Sequence, residues 1–238
     1  SNIAVLMADG QNPAADMRKA DGTGYVSSPL DLDGDGTADI NYSATYGNIS
    51  KVLSVLSNRL TDKDQLFIYV IDHGGYDSDS EESYICLWNY EKLYASDLAR
   101  MLDGIKTPYV NVVLGQCFSG GFVRHLEKPG RVIAAACAED ESSWGCGDIP
   151  YDEFVFHWTN AVSGSHGLTG AAITSDFNDN GKISMNEAFI YARDNDRKLG
   201  MENPQYSSQN VSVGEELSLR DIPRGYSLYL RDTEADTG

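Results

Sequence analysis

The chain has 238 residues, of which 41% are hydrophobic and 23% charged, a composition typical of a globular domain with a sizeable core. Its formal net charge of −18 argues against nucleic acid as a partner, because a polyanion would be repelled, and is compatible with basic substrates, bound cations and secretion. No apolar run approaches the roughly 20 residues that a membrane-spanning helix needs.

Apolar runs alternate with amphipathic stretches along the chain. In order, the pattern predicts a strand at 3–8, a helix at 49–60, strands at 65–71 and 83–88, a helix at 96–105, a strand at 109–115, a helix starting near 120, a strand at 131–136, and helices at 152–162 and 185–196. The acidic, serine-rich segment 76–83 is expected to be a surface loop, and 231–238 a polar tail. This alternation indicates an α/β fold, in which a mostly parallel sheet carries helices on both faces.

The four cysteines are too few for a disulfide scaffold in a chain of this length. Cys137 and Cys146 are close enough in sequence to pair across a loop, and two free thiols are an equal alternative. The N-terminal stretch "SNIAVLMADG" lacks the basic start and long apolar run of a signal peptide, and it is typical of a strand that begins abruptly. We therefore expect the sequence to be a fragment of a longer protein.

Two glycine-rich turns follow apolar strands and carry candidate catalytic groups: "IDHGG" after 65–71 and "GQCFSGG" after 109–115. Carboxyl ends of parallel strands meet at one edge of a sheet, so His73 and Cys117 are expected at the same edge. A catalytic thiolate needs a nearby base or positive charge, which His73 and the positive end of a helix after Cys117 would supply. Backbone N–H groups of Gly74 and Cys117 are candidates for an oxyanion hole.

The pair of motifs "LFIYVIDHGG" and "GQCFSGG" resembles the legumain-type cysteine peptidases, part of the caspase-like group with gingipains, clostripain and metacaspases. The stretches "ESSWGC", "DEFVFHW" and "ENPQYS" resemble later segments of these proteins. The resemblance implies a caspase-like three-layer α/β sandwich, with mostly parallel strands, as a peptidase domain over 1–222. A C-terminal strand or tail is expected over 223–238.

The resemblance also implies roles for individual residues. His73 is the catalytic histidine, Cys117 is the nucleophile, and Gly74 contributes to the oxyanion hole. The residues that line the substrate cleft or its primary pocket are Asp152, Ser142, Ser143 and Phe118, the last of which stands where legumain has Glu. A strand that is central in the family's sheet has no counterpart at the start of this chain, so it was either removed or lies on a separate chain.

Two acidic loops are typical of calcium sites. The stretch "DFNDNGKISMNE" has oxygen donors at the key positions of a helix–loop–helix calcium loop: Asp176, Asn178, Asn180, the Lys182 carbonyl, Ser184 and Glu187. The stretch "DLDGDGTAD" offers the carboxylates of Asp31, Asp33, Asp35 and Asp39 and the carbonyl of Thr37. These carboxylates would repel one another without a cation, so one or two structural Ca²⁺ sites are predicted. Calcium is abundant outside the cytoplasm, so a secreted, periplasmic or cell-surface location is expected.

The sequence thus predicts a monomeric cysteine endopeptidase that hydrolyses peptides or proteins through a Cys–His dyad and a thioester. Asp152 on the pocket floor favours Arg or Lys before the scissile bond, with Asn as the runner-up. Two alternatives stay open. One is a transpeptidase or transamidase of the same family, and the other is a calcium-dependent binding module on an inactive peptidase scaffold.

Overall fold

The computed structural model describes residues 2–19, 22–149, 152–209, 211–216 and 225–231. Its strands are β1 (Ile3–Met7), β2 (Met17–Arg18), β3 (Tyr25–Val26), β4 (Ile40–Tyr42), β5 (Gln65–Val70), β6 (Gly74–Asp77), β7 (Glu82–Leu87), β8 (Glu91–Tyr94), β9 (Tyr109–Leu114), β10 (Arg131–Ala135), β11 (Gln205–Ser208) and β12 (Gly225–Arg231). Its helices are α1 (Tyr46–Arg59), α2 (Ala95–Asp103), α3 (Val123–Leu126), α4 (Glu153–Ser163), α5 (Met185–Asn195) and α6 (Val211–Glu216).

Seven of the strands form the main sheet, in the spatial order β11-β10-β9-β5-β12-β1-β4. Neighbouring strands are parallel except for β10 and β11. Residues of β5 alternate between the two faces: Leu66 and Ile68 pack with α1, α2 and α3, whereas Phe67 and Tyr69 pack with α4, α5 and α6. The prediction of a mostly parallel sheet between two helical layers is confirmed. Within the described part of the chain, no helix combines the length and apolarity needed to cross a bilayer.

The segment 76–83 differs from its prediction as a surface loop. Its ends belong to β6 and β7, which form a separate antiparallel sheet with β8. The Asp77 carboxylate accepts hydrogen bonds from Lys92 Nζ at 3.1 Å and from the Tyr94 hydroxyl at 2.7 Å. These hydrogen bonds to β8 stabilise the acidic segment within a sheet, although its charge is typical of a solvated loop.

The centre of the main sheet, between β1 and β5, is occupied by β12 from the C-terminal part of the chain. Ser227 pairs with Ile3 on one side and with Phe67 on the other, in parallel register. The resemblance assigns this central place to an N-terminal strand of the family, and here 225–231 take it. Of the predicted polar tail, Arg231 belongs to β12 and 232–238 lie outside the described residues.

Aromatic packing fixes α4 over β5. The Trp158 ring lies 5.6 Å from the ring centroids of both Phe67 and Tyr69, and the Tyr69 hydroxyl is 2.7 Å from Thr159 Oγ1. This packing places the first turn of α4 against the end of β9, where a Cβ atom on Gly115 would lie 2.8 Å from Val155 Cγ2. The N-terminus of α4 therefore sits beside the turn that carries Cys117.

Candidate active site

The turns that carry His73 and Cys117 touch each other. Strands β5 and β9 are paired in register with Val70 opposite Leu114, and each candidate residue follows its strand after two intervening residues. Gly74 packs so tightly on the second turn that a Cβ atom there would lie 2.3 Å from the Cys117 carbonyl oxygen. Only glycine permits this approach, so the sequence "HGG" serves the contact between the two turns.

Cys117 is half-buried and His73 is exposed. The Cys117 sulfur accepts a hydrogen bond from Ser143 N at 3.3 Å and lies 3.7 Å from Ser143 O. The His73 backbone is held by its N–H on Asp72 Oδ1 at 2.5 Å and by its carbonyl, which accepts from Cys86 N at 2.9 Å. The histidine ring thus projects from a backbone that is fixed on both sides.

The helix predicted to start near 120 is present, as a 3₁₀ turn that continues into α3. Phe118 adopts the left-handed region at φ +59°, a 3₁₀ turn covers Ser119–Phe122, and α3 begins at Val123. The glycines of this turn serve close packing, since a Cβ atom on Gly120 would lie 2.7 Å from Cys137 O. The helical segment therefore begins two residues after Cys117, with Phe118 between them.

One backbone donor at the nucleophile remains available. The Phe118 N–H is used by Glu141 O at 2.8 Å, whereas the Cys117 N–H has no acceptor among the described residues. Phe118 itself is half-buried beside the thiol. The Cys117 N–H is therefore the better placed of these two groups to stabilise a developing oxyanion.

Ser143 links the nucleophile to Asp152. The Ser143 hydroxyl lies 2.7 Å from Gly115 O and hydrogen bonds to the Asp152 carboxyl group, which also caps α4 by accepting from Val155 N at 2.9 Å. Burial raises the pKa of Asp152 to about 7, although the bonds from Ser143 and Val155 act in the opposite direction. Ser142 lies half-buried in the same segment, without a described side-chain bond to either group.

Sequence reasoning missed the carboxyl groups behind Ser143. Glu202 is fully buried, and its Oε2 accepts from Trp144 N at 2.6 Å. Burial, with Asp152 and Asp196 nearby, raises the pKa of Glu202, and burial also raises the pKa of Asp196. The available signal was the segment "ENPQYS", in which a charged residue precedes a short, mostly half-buried strand.

The first acidic loop gathers three of its four predicted carboxylates. Oxygen atoms of Asp31, Asp33 and Asp39 all lie within 4.8 Å of one another. Backbone N–H groups, first of all that of Gly36, lower the pKa of Asp31 and keep its carboxylate charged. Asp35 lies outside this group, and its Oδ1 accepts from the N–H of Thr37 at 2.7 Å.

In the second acidic loop, the side-chain oxygens predicted as calcium ligands accept hydrogen bonds from the loop's own backbone. Asp176 accepts from Gly181 N at 2.7 Å, and Glu187 accepts from Phe177 N and Ser184 N, both at 2.9 Å. Two further side-chain oxygens accept from N–H groups of the loop, those of Asn178 and Asn180, the latter from Lys182 N. All these side-chain groups offer hard oxygen atoms, the ligand type that Ca²⁺ prefers.

The cysteines are free thiols, the second of the two alternatives for Cys137 and Cys146. The buried Cys137 sulfur lies 3.4 Å from Ser119 Oγ and 3.2 Å from Glu141 O. Burial raises the pKa of Cys137 to about 11, so this thiol is a poor nucleophile.

Comparison with known proteins gives a family and a fold. The model of the peptidase C13 family matches residues 2–193, which include both turns and Asp152. The structure resembles protein GSU0716 from Geobacter sulfurreducens, with a TM-score of 0.53 and 11% identity over 89% of this chain and 95% of that one. Raptor from Chaetomium thermophilum matches with a TM-score of 0.42 and 17% identity over 67% of this chain but only 17% of its own, a likeness too weak to carry an argument. A sequence comparison with curated proteins finds no match.

The raised pKa of Asp152 predicts a pH-dependent stability that Asp152→Asn removes. The folded state keeps a proton on Asp152 up to a pKa of about 7, whereas the unfolded chain releases it near the ordinary aspartate pKa of 3.8. Stability is therefore lost as pH rises from about 4 to 7, by at most about 4 kcal/mol, because each tenfold step in proton binding corresponds to about 1.4 kcal/mol. Asn retains the cap and the contact with Ser143, so urea unfolding at pH 4 and pH 8 should show a smaller loss for the variant. The exposed control Asp62→Asn should follow the wild type, and equal losses in all three proteins would contradict the assignment.

Proposed function

We propose that this chain, which belongs to the peptidase C13 family of caspase-like cysteine peptidases, is an endopeptidase with Cys117 as nucleophile and His73 as general acid and base. The close contact between Gly74 and the Cys117 carbonyl carries the proposal, because it brings the two turns to one place at the carboxyl edge of the sheet. A retired scaffold would have no need to keep a glycine, a histidine and a thiol in this arrangement.

The reaction divides into two steps. The Cys117 sulfur attacks the scissile carbonyl carbon, His73 takes the thiol proton and delivers it to the leaving amine, and a thioester remains. Water then attacks the thioester with His73 as base, which releases the acid product and restores the thiol. The Cys117 N–H, with that of Gly74, stabilises the oxyanion in both steps.

Specificity is assigned to Asp152. Ser143 contacts both the Asp152 carboxyl group and the Cys117 sulfur. A side chain that enters the cleft beside Cys117 therefore comes close to Asp152. An incoming Arg or Lys would pair with the ionised form and offset the desolvation that raises the pKa of Asp152. The net charge of −18 favours basic peptides as well.

Calcium is proposed as a structural ligand of one or both acidic loops. The clustered carboxylates of Asp31, Asp33 and Asp39 support the first site, and the oxygen donors of 176–187 support the second. Weak sites of this kind are filled at the calcium concentrations found outside the cytoplasm, so a secreted, periplasmic or cell-surface location is part of the proposal.

Replacing either member of the dyad should abolish hydrolysis. Cys117→Ala removes the nucleophile and should leave no measurable turnover of a fluorogenic peptide, and His73→Ala should cost about 10²–10⁴-fold in kcat. The conservative variant Cys146→Ser is the control and should retain activity. Full activity of folded Cys117→Ala would overturn the mechanism, and a product joined to an added amine, seen by mass spectrometry, would assign a transpeptidase instead.

A peptide panel that varies only the residue before the scissile bond should show faster cleavage after Arg and Lys than after Asn or Asp. Asp152→Asn should lower kcat/KM for the basic peptides by about tenfold to a hundredfold, the value of a hydrogen bond to a charged group, and should affect the Asn peptide less. Faster cleavage after neutral or acidic residues by the wild type would remove Asp152 as the specificity determinant.

Calcium should raise the melting temperature of the wild-type protein. A calcium concentration a hundredfold above the dissociation constant adds about 2.7 kcal/mol, or about 5–10 °C for a chain of this size. Glu187→Gln keeps a helix-capping side chain but loses a charged ligand, so its gain should be smaller. Magnesium at equal ionic strength controls for screening of the net charge, and the same melting temperature with calcium and with chelator would exclude both sites.

A further inference from the structure

We propose that Glu202 and Asn203 form a clamp that positions the cleft segment, defined as 141–145, against Cys117. The inference rests on the proposed function, because it takes this segment as the part of the cleft that receives a peptide. Glu202 and Asn203 touch neither nucleophile nor histidine in the described contacts, so they are positioning residues rather than catalytic ones.

The clamp holds the segment at two points. The Glu202 carboxyl group accepts from Trp144 N at 2.6 Å. Asn203 donates its backbone N–H to Glu141 Oε2 at 2.8 Å and its amide group to Glu141 Oε1. The Asn203 carbonyl is in turn bonded by Gln205 Nε2 at 2.8 Å, which ties the clamp to the start of β11. Two adjacent residues therefore fix both ends of the four-residue span from Glu141 to Trp144.

The clamp binds the backbone of the cleft segment on the side that faces away from the nucleophile. Trp144 N is bound by Glu202, and Trp144 O accepts from Glu153 N at 3.1 Å. Neighbouring residues of an extended chain present their backbone groups to opposite sides, and Ser143 accordingly presents its N–H to the Cys117 sulfur. Trp144 is thus fixed through its own backbone groups, while the Ser143 N–H is directed at the Cys117 sulfur and Gly145 is exposed.

The state of Glu202 follows from its partners. Glu202 Oε1 and Asp196 Oδ2 are buried without a hydrogen-bond donor among the described residues, and burial raises the pKa of both carboxyl groups. A proton shared between these two oxygens would satisfy both, and Glu202 would then be neutral while its Oε2 accepts from Trp144 N. Loss of the shared proton would leave two buried charges side by side and weaken the grip on Trp144.

The other charged and titratable groups around this pair are mostly acidic or unreactive. Asp152 and Glu153 face it from the start of α4, Cys137 faces it from the end of β10, and Lys198 lies beside Asp196. Arg197 is engaged by Glu153 and by Asp148. The local field therefore retains the proton, and the clamp should open at alkaline pH.

Three substitutions test the clamp, and they remove different properties of a carboxyl group. Glu202→Gln keeps an acceptor for Trp144 and a donor for Asp196 but cannot ionise. Glu202→Ala removes both. Glu139→Ala is the matched control, because this carboxylate lies just before the cleft segment and, among the described residues, bonds only to Arg124.

Two probes of Cys117 separate positioning from thiol chemistry in the full-length protein. Iodoacetamide needs only the thiol, whereas a peptidyl chloromethyl ketone ending in Arg, which loses chloride as the Cys117 sulfur bonds to its methylene carbon, also needs the cleft segment. We expect Glu202→Ala to slow labelling by the ketone about tenfold or more, the value of one hydrogen bond to a buried acid, without changing the iodoacetamide rate. Glu202→Gln and Glu139→Ala should match the wild type at neutral pH, and Glu202→Gln should label faster than the wild type at alkaline pH.

Hydrogen exchange of the Trp144 amide tests the clamp independently of peptidase activity. Glu202→Ala should exchange this amide about tenfold faster than the wild type, with no change in Glu202→Gln. If the wild type reacts with iodoacetamide but not with the ketone, the proposed function fails while the exchange result still decides the clamp. Equal exchange in all variants, or equal loss of both labelling reactions in Glu202→Ala, would overturn the clamp. If Glu202→Ala does not fold, identical pH profiles of the wild type and Glu202→Gln would overturn it.

Discussion

The candidate site depends on one close approach between two backbones. Gly74 lies against the Cys117 carbonyl because β5 and β9 are adjacent and in register, and any side chain at position 74 would push the turns apart. The rest of the site is arranged around this contact. Ser143 reaches the Cys117 sulfur from one direction, and the first turn of α4 brings Asp152 behind Ser143.

The acidic character of the chain is managed differently at the surface and in the interior. Asp77 and Asp31 remain charged because hydrogen-bond donors surround them, which lowers the pKa of each. Behind the cleft, Asp152, Asp196 and Glu202 have few such donors, and burial raises the pKa of all three. In the interior, bound protons rather than cations therefore neutralise the carboxyl groups. This explains how a chain of net charge −18 can place several of them near its nucleophile.

The sequence predicted those parts of the fold and site that depend on local pattern. The turns with His73 and Cys117 follow directly from apolar runs, so their position at a sheet edge could be inferred. The helical turn that starts near 120 also follows from local pattern, whereas the close contact of Gly120 with Cys137 O could not be inferred, because the two residues are distant in sequence. The burial of Glu202 was out of reach for the same reason, since its partner Trp144 is 58 positions away. Long-range contacts decide these features, and a single sequence does not display them.

The position of β12 separates the sheet into a local part and a distant part. Pairing of β5 with β9 joins residues such as Gln65 and Tyr109, whereas pairing of β12 with β1 joins residues such as Ser227 and Ile3 near opposite ends of the described chain. Contacts between distant positions close the longest loops and therefore form late in folding. The two turns with His73 and Cys117 belong to the local part, because both follow strands of the β5–β9 pair. What β12 adds is the second neighbour of β5, together with the only link, in the described sheet, between β5 and the β1–β4 pair. The strand that leads to His73 is thus held on one side by the strand that leads to Cys117 and on the other by the last described element of the chain.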